Sequence, residues 1–412
     1  MTRRRGRSAA GRAVLTVVTA FGVLAGAALA GAAPAGAVPA GGRIAPGVTY
    51  RQFDIDAAAG PARAHLLTVD LADPHVRVDL LHPGSVAARA TVSRLADSAG
   101  ALAGVNGDFF NISEAQHPGV EATGAAVGPA VAAGQALKAA VPTGQRFGPS
   151  LPPGTNTLDV FGVGTDRRAR LDRLSLAGSV GTPEGRLPLK GLNQYALAED
   201  SVGAFTARWG SASRMRAVCG TDTRRSAPCS DDTYEVTVRG GRVVSAADSP
   251  GSGAIPADTT VLVGREEGAQ QLRKLTVGDP VEVTHTLVAA SSGVPYLFAI
   301  GGFPVVRDGA PLAGLDDETS AVRTVVGVSG GGRQLLLLAL DGGADYRSGM
   351  TVAEEADTMR ALGASDAFNL DGGGSTEMVT RDTDATAVTV RNHPSGGAER
   401  PVPNGIGVFS AG

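Results

Sequence analysis

The sequence predicts a mixed α/β fold, a sheet flanked by helices with a largely β inserted region. Three observations carry that expectation. Short β-type runs recur through the chain, from "HLLTVDL" and "VRVDLL" to "QLLLLALDG". "TVAEEADTMRALG" reads as a helix lying between two apolar strand runs. Glycine accounts for 58 of 412 residues and aromatics for only 4 %, a balance that favours turn-rich sheets over helical bundles.

The first residues read as a targeting signal. Arg3, Arg4, Arg5, Arg7 and Arg12 form a basic start, Ala13 to Ala30 is an uncharged apolar run, and Ala35-Gly36-Ala37 is an A-x-A cleavage pattern. A signal peptide over 1–37 is expected, with an uncleaved membrane anchor as the alternative. A leader over 38–64 and a main domain over 65–410 follow. Within the domain, "TVSRLADSAGALAG" has a threonine start, an amphipathic middle and closing glycines, so a short helix fits. From about 125 to 290, short strands alternate with turn clusters, and "RGGR" between two strand runs is a hairpin. This stretch is the β-rich insertion.

After residue 298 the texture changes. The unbroken apolar run of "QLLLLALDG" predicts a strand buried on both faces. Thr351 and Glu354 form a capping box, Val352, Ala356, Met359 and Leu362 an apolar stripe, and Gly363 a stop. "DAFNLDGGG" then returns to the sheet. Asp341 and Asp371 therefore end apolar strands on either side of one helix. A parallel crossover would bring both ends to the same sheet edge, where α/β folds place ligands.

Charge narrows the partners. Without the five arginines of residues 1–37, 32 basic residues face 40 acidic ones, a net charge of about −8. Nucleic acid and anionic membrane are poor partners for such a surface. The two cysteines, Cys219 and Cys229, lie ten residues apart, and in an exported chain they read as one local disulfide. That bridge is expected to be a surface clip whose loss costs stability more than activity. No G-x-S-x-G, Walker A, HExxH, complete Rossmann fingerprint or EF-hand loop is present, and the six histidines lack metal-ligand spacing. No cofactor is evident, and a divalent metal stays open.

What remains is a pair of D-G motifs, Asp341-Gly342-Gly343 and Asp371-Gly372-Gly373-Gly374-Ser375. Each reads either as a tight turn closed by its own aspartate or as backbone bared for a ligand. A dense polar cluster, "VRNHPSGGAERPVPNGIGVF", follows them, and "GVNGDFFN" precedes them.

Taken in order, "GVNGDFFN", "AIGGFPVVRDG", "RTVVGVSGGGRQLLLLALDGG", "GMTVAEEADTMRALGASDAFNLDGGGSTEMV" and "RNHPSGGAERPVPNGIGVF" resemble the phosphodiester glycosidase family over roughly 65–410. The resemblance implies an exported hydrolase that cleaves a sugar-1-phosphodiester, with a carbohydrate phosphodiester as substrate. By motif, Asp371, Asp341 and Glu399 become the candidate catalytic carboxylates. Asn106, Asp108, Gly301, Gly302, Arg323, Gly372, Gly373, Gly374 and Ser375 become candidate substrate-binding positions. Asn392, Ser395, Arg400 and Asn404 add a further set from the last block. "LDGGADY" departs from a D-G-R pattern, which leaves a basic group missing beside Asp341. A glycan-binding or teichoic-acid-binding protein on the same fold is the competing class.

Overall fold

The computed structural model describes residues 41–410. The expected signal peptide lies outside the described residues, as does the first part of the leader. The architecture differs from the expected α/β arrangement. Strands make up 42 % and helices 10 %, in three sheets with three α-helices among the described residues, so the fold is β-rich rather than a helix-flanked sheet.

The central sheet has eight strands. Their spatial order is Gly41–Ala45, Val48–Ala57, Gly60–Asp70, Gln334–Leu340, Thr324–Ser329, Asp366–Asn369, Phe303–Arg307 and Ala310–Pro311. The first two come from the segment read as a leader. All neighbours pair antiparallel. The strands ending at Leu340 and Asn369 both pair antiparallel with Thr324–Ser329, which lies between them. They therefore run the same way, and the helix Val352–Ala361 carries the chain from one to the other. Asp341 and Asp371 do emerge on one edge, but through a shared antiparallel neighbour rather than a parallel pair.

The helix-flanked expectation fails because other sheets cover this one. Leu336, Leu338 and Leu340 pack with Phe109, Phe205, Trp209 and Phe303. Leu335, Leu337 and Ala339 pack on the opposite side with Phe161, Phe298, Ile406 and Val408. The strand is thus buried on both faces, as its run of leucines predicts. A continuous apolar run records burial without recording whether a helix or a sheet supplies the cover.

A five-stranded antiparallel sheet contributes to that cover, in the order Val388–Val390, Met378–Arg381, Ala103–Asn106, Gly405–Ser410, Val76–Leu81. The third sheet has eleven strands drawn from residues 130–301, with one parallel pair, Gly185–Leu192 beside Val202–Phe205. Its hairpin at Gly240-Gly241 has both glycines at positive φ, 55° and 74°, the twist that a two-residue hairpin needs. Local signals hold well. Thr351 and Glu354 form the reciprocal capping box. Thr91 caps Val92–Ala99, whose closing Gly100 is left-handed.

The helix Val352–Ala361 buries one acid in the core. Glu355 is fully buried, and neither carboxyl oxygen has a hydrogen-bond partner. Burial pushes its carboxyl up to about 8, against the attraction of Arg323. A group whose folded pKa is raised stabilises the fold below its unfolded pKa, and that contribution is lost as pH rises through the folded value. The melting temperature should therefore fall between about pH 5 and pH 8, and the fall should be smaller in Glu355→Gln. Parallel melting curves of the two proteins across that range check this, because the difference isolates Glu355 from the other acids.

Candidate active site

The strand ends at Asp341 and Asp371 meet the five-stranded sheet through Asn106. Its buried side chain donates Nδ2–H to the Asp371 carbonyl at 2.7 Å. Its Oδ1 accepts from the Thr324 hydroxyl at 2.7 Å and from the Glu377 N–H at 3.0 Å. Two neighbouring asparagines act alike. Asn392 donates to the carbonyls of Leu340 and Thr376 and accepts from the Met378 N–H. Asn404 accepts from the Asp108 N–H at 2.9 Å. These three side chains are spent on backbone groups, so they position the site.

Two carboxyl groups lie near each other there, since the Asp371 N–H donates to the carbonyl of Gly107, the residue before Asp108, at 2.8 Å. Burial pushes Asp371 up to about 6; Ser375, Arg400 and the Gly372 N–H pull it down, and Asp108 raises it further. Burial also pushes Asp108 up to about 6, against the attraction of Lys138 and the Gly128 N–H. That N–H donates to Asp108 Oδ2 at 2.6 Å, while Oδ1 is buried without a partner. Gly301 and Gly302 are required beside them. A Cβ on Gly301 would overlap Asp108 Oδ2, and one on Gly302 would overlap the Asn369 carbonyl.

Arg146 completes this pair from the inserted region, and sequence reasoning missed it. Its guanidinium lies 5.3 Å from the Phe109 ring centroid and 6.0 Å from that of Phe303. Asp108 and Asp371 are among the charges acting on it. Nη1 donates to the Pro149 carbonyl, and among the described residues Nε and Nη2 make no hydrogen bond. No motif flags an arginine in "TGQRFGP"; only the contact with two motif aspartates reveals it.

Each of the three consecutive glycines has its own reason. A Cβ on Gly372 would stand 2.6 Å from the Val322 carbonyl. Gly373 adopts φ 59°, a left-handed conformation, with open space where a side chain would be. A Cβ on Gly374 would overlap the Arg400 guanidinium, which crosses that residue to donate from Nη1 to the Ser375 hydroxyl at 3.3 Å.

Other expected site residues sit elsewhere. Arg323 donates to the carbonyls of Met350 and Thr319 at 3.0 and 2.6 Å and braces the loop beneath. Asp341 is buried between two imidazoles. His65 Nε2 lies 3.2 Å and His393 Nδ1 2.9 Å from Oδ2, and the Gly343 N–H donates to Oδ1 at 2.7 Å. Burial alone would raise this carboxyl, but the hydrogen bonds from His65 and His393 outweigh it and hold it well below the usual range. The basic partner that "LDGGADY" lacks locally is thus supplied by two histidines. Ser395 passes over this turn, its backbone N close against Gly342. Glu399 accepts from the Ser93 hydroxyl at 2.6 Å, at the start of Val92–Ala99. It also shares a proton with Glu377, whose carboxyl burial and the Glu399 charge push up to about 9. Asp371, Asp108, Ser375, Arg400 and Arg146 are therefore brought together, whereas Asp341 and Glu399 join separate clusters. A large groove lies on the inserted sheet, between Arg186, Asp258 and Glu282, and contains none of these groups.

Residues 232–409 match the family model of the phosphodiester glycosidases. That segment, less than half of the chain, is similar to a phosphodiester glycosidase domain. Asp341, Asp371, Ser375 and Arg400 fall within the matched residues, while Asn106, Asp108 and Arg146 precede them. No curated protein matches the chain. Among solved structures, a Synechocystis protein described as hypothetical superposes with a TM-score of 0.67 at 20 % identity, over 89 % of this chain. The chain spans 62 % of that protein's length. A Burkholderia pseudomallei protein designated as exported gives 0.63 at 23 % identity, over 85 % of this chain and 74 % of its own. These two establish a shared fold. The catalytic domain of zebrafish N-acetylglucosamine-1-phosphodiester α-N-acetylglucosaminidase, auto-inhibited by its pro-peptide, gives 0.44 at 15 % identity, over 89 % and 85 % of the two chains.

The loop that carries Arg146 is braced by the disulfide loop of the insertion. Cys219 and Cys229 are bonded. The loop they close accepts from the Gly144 N–H through the Asp222 carbonyl at 2.9 Å, and from Gln145 through the Thr221 carbonyl. Its Arg225 donates to the Arg146 carbonyl at 2.7 Å. Buried Arg216 ties Glu114, Gln145 and the Cys219 carbonyl together behind it. Replacing both cysteines by serine should therefore cost more than the usual ~2–4 kcal/mol of disulfide stabilisation. At temperatures well below its melting point, the variant should also bind a phosphodiester several-fold more weakly, because Arg146 loses its support. Titration calorimetry beside thermal melts separates the two effects.

Proposed function

We propose that the site hydrolyses a sugar-1-phosphodiester at the bond between the anomeric carbon and the phosphate oxygen, in the cell envelope or outside the cell. One observation carries the reading: two buried carboxyl groups with raised pKa values lie near each other beside two arginines that have unused donors. A glycosyl phosphodiester needs that combination. One carboxylate activates water at the anomeric carbon, one carboxylic acid serves the leaving oxygen, and cations hold the phosphate.

Asp371 takes the part of the base and Asp108 that of the acid. Water adds its hydroxyl to the anomeric carbon and gives a proton to Asp371. The carbon–oxygen bond breaks with its electron pair on the phosphate oxygen, which takes the proton of Asp108 Oδ1. Arg400 and Arg146 stabilise the charge that accumulates on the phosphomonoester. The matched family and the buried setting of Asp108 support this assignment. Among the described residues no group of three or more potential metal ligands is clustered, and no helix is long and apolar enough to cross a membrane. The disulfide and the exported neighbour are compatible with secretion.

Asp371→Asn should lower turnover of a hexose-1-phosphodiester by about two or more powers of ten while the melting temperature holds. Arg400→Ala should chiefly raise KM. If the protein only binds glycans, Asp371→Asn has no turnover to lose, and its calorimetric affinity for the same diester will be near that of the wild type.

The pH dependence follows from the same pair. Asp371 works ionised and Asp108 protonated, and both titrate near 6, so kcat/KM should peak near pH 6 and fall on either side. A rate profile between pH 4 and pH 9 that stays flat through that region would refute the assignment.

A further inference from the structure

Asn369 stands two residues before Asp371, at the end of its strand. Its side chain is almost fully buried, yet neither Oδ1 nor Nδ2 has a hydrogen-bond partner. Such an amide is exceptional, since buried polar groups are nearly always paired. Its cross-strand neighbours are Val325 and Phe303. By strand alternation it shares the face of Ala367, which packs with Phe109, Phe303 and Val325. Phe109 and Phe303 stack at 5.9 Å, and Arg146 lies over both rings. The unpaired amide therefore sits beside the aromatic pair under Arg146, on a residue whose carbonyl lies against Gly302, next to the Gly301 that packs on Asp108 Oδ2.

Asn106 and Asn392 bond through both ends of their amides, on backbone groups and the Thr324 hydroxyl, whereas Asn369 leaves both ends free. Free donor and acceptor atoms on one rigid strand suit a group that can accept and donate at once. A sugar hydroxyl is such a group, and a phosphate is not. We propose that Asn369 is a specificity-determining residue that reads a ring hydroxyl of the sugar beside the anomeric carbon, with the Phe109–Phe303 pair and Arg146 closing over it. This rests on the reading of the site as a sugar-phosphodiester hydrolase.

The test uses Asn369→Leu, which keeps the shape of the side chain and removes both polar atoms. The probes are a hexose 1-(methyl phosphate) and its monodeoxy analogues. Wild-type kcat/KM should fall at least about 100-fold for one deoxy analogue, because losing that hydroxyl leaves the amide unpaired. In Asn369→Leu, the parent diester should fall by a similar factor, and the penalty for that deoxy analogue should vanish. The melting temperature of the free variant should rise, since an unpaired buried amide is replaced by an apolar group of equal shape. Equal losses on every substrate, or a lowered melting temperature, would mean that Asn369 holds an internal water and supports the fold, and would overturn the proposal. Persistence of the deoxy penalty in the variant would overturn it while leaving the hydrolase reading intact. No turnover of any diester by the wild type would overturn both.

Discussion

The site depends on one buried carboxamide. Asn106 ends a strand of the five-stranded sheet, yet its side chain bonds to Thr324 on the central sheet and to the backbone on both sides of the Asp371 turn. Two sheets that meet largely through apolar packing are thus keyed together at the edge that gathers Asp341 and Asp371. Hydrophobic contact is non-directional and would tolerate a shift of one sheet over the other. The amide does not, because moving it would strand a hydroxyl, an N–H and a carbonyl, each costing about 1–3 kcal/mol when buried unpaired. Asn392 repeats the device between the carbonyls of Leu340 and Thr376.

With the frame fixed, the acids can be held away from water. Asp108 is buried among groups that cannot rearrange: the Gly128 N–H on one oxygen and the Asn404 amide on its own N–H. Lys138 is buried as well, and its ammonium donates to the carbonyls of Val127, Gly128 and Ala139. The Gly128 peptide therefore links Lys138 to Asp108, carbonyl on one side and N–H on the other. Burial raises the acid and lowers the amine, and their mutual attraction partly restores both. A carboxyl poised near 6 is the outcome of this balance rather than of any one contact.

The sequence made the pieces of this site legible more readily than the fold around them. Local rules are written locally, so the capping box at Thr351, the left-handed glycines of the 240–241 hairpin and the disulfide were all readable. The edge that gathers Asp341 and Asp371 was also readable, although a parallel sheet was the wrong reason for it. The cover over the central strands was not, because a run of leucines is equally apolar under a helix or a second sheet. Roles were harder still. Arg323, Asp341 and Glu399 have the residue types of a phosphodiester site, but whether a charge faces substrate or carbonyl depends on side-chain direction. His65, His393, Ser93 and Glu377 determined those outcomes, and none of them lies beside its partner in sequence. Arg146 carries no motif, and Asn369, although inside "DAFNLDGGG", is not singled out by it.

The division of the site along the chain has a physical consequence. Asp371, Ser375 and Arg400 belong to the segment that matches the family, and are fixed by strand ends and glycines that tolerate no Cβ. Arg146 and its supports come from the inserted region, on a short loop held by carbonyl contacts to the disulfide-closed segment. Loops tolerate changes of length and sequence that strand ends do not. Asp371, Ser375 and Arg400 are therefore mounted on strand ends and close-packed turns with little freedom to vary. Arg146 stands on a part whose geometry one covalent bridge and a few hydrogen bonds define. A change in that loop would alter the surroundings of the rings of Phe109 and Phe303 without moving the strand end that carries Asp371.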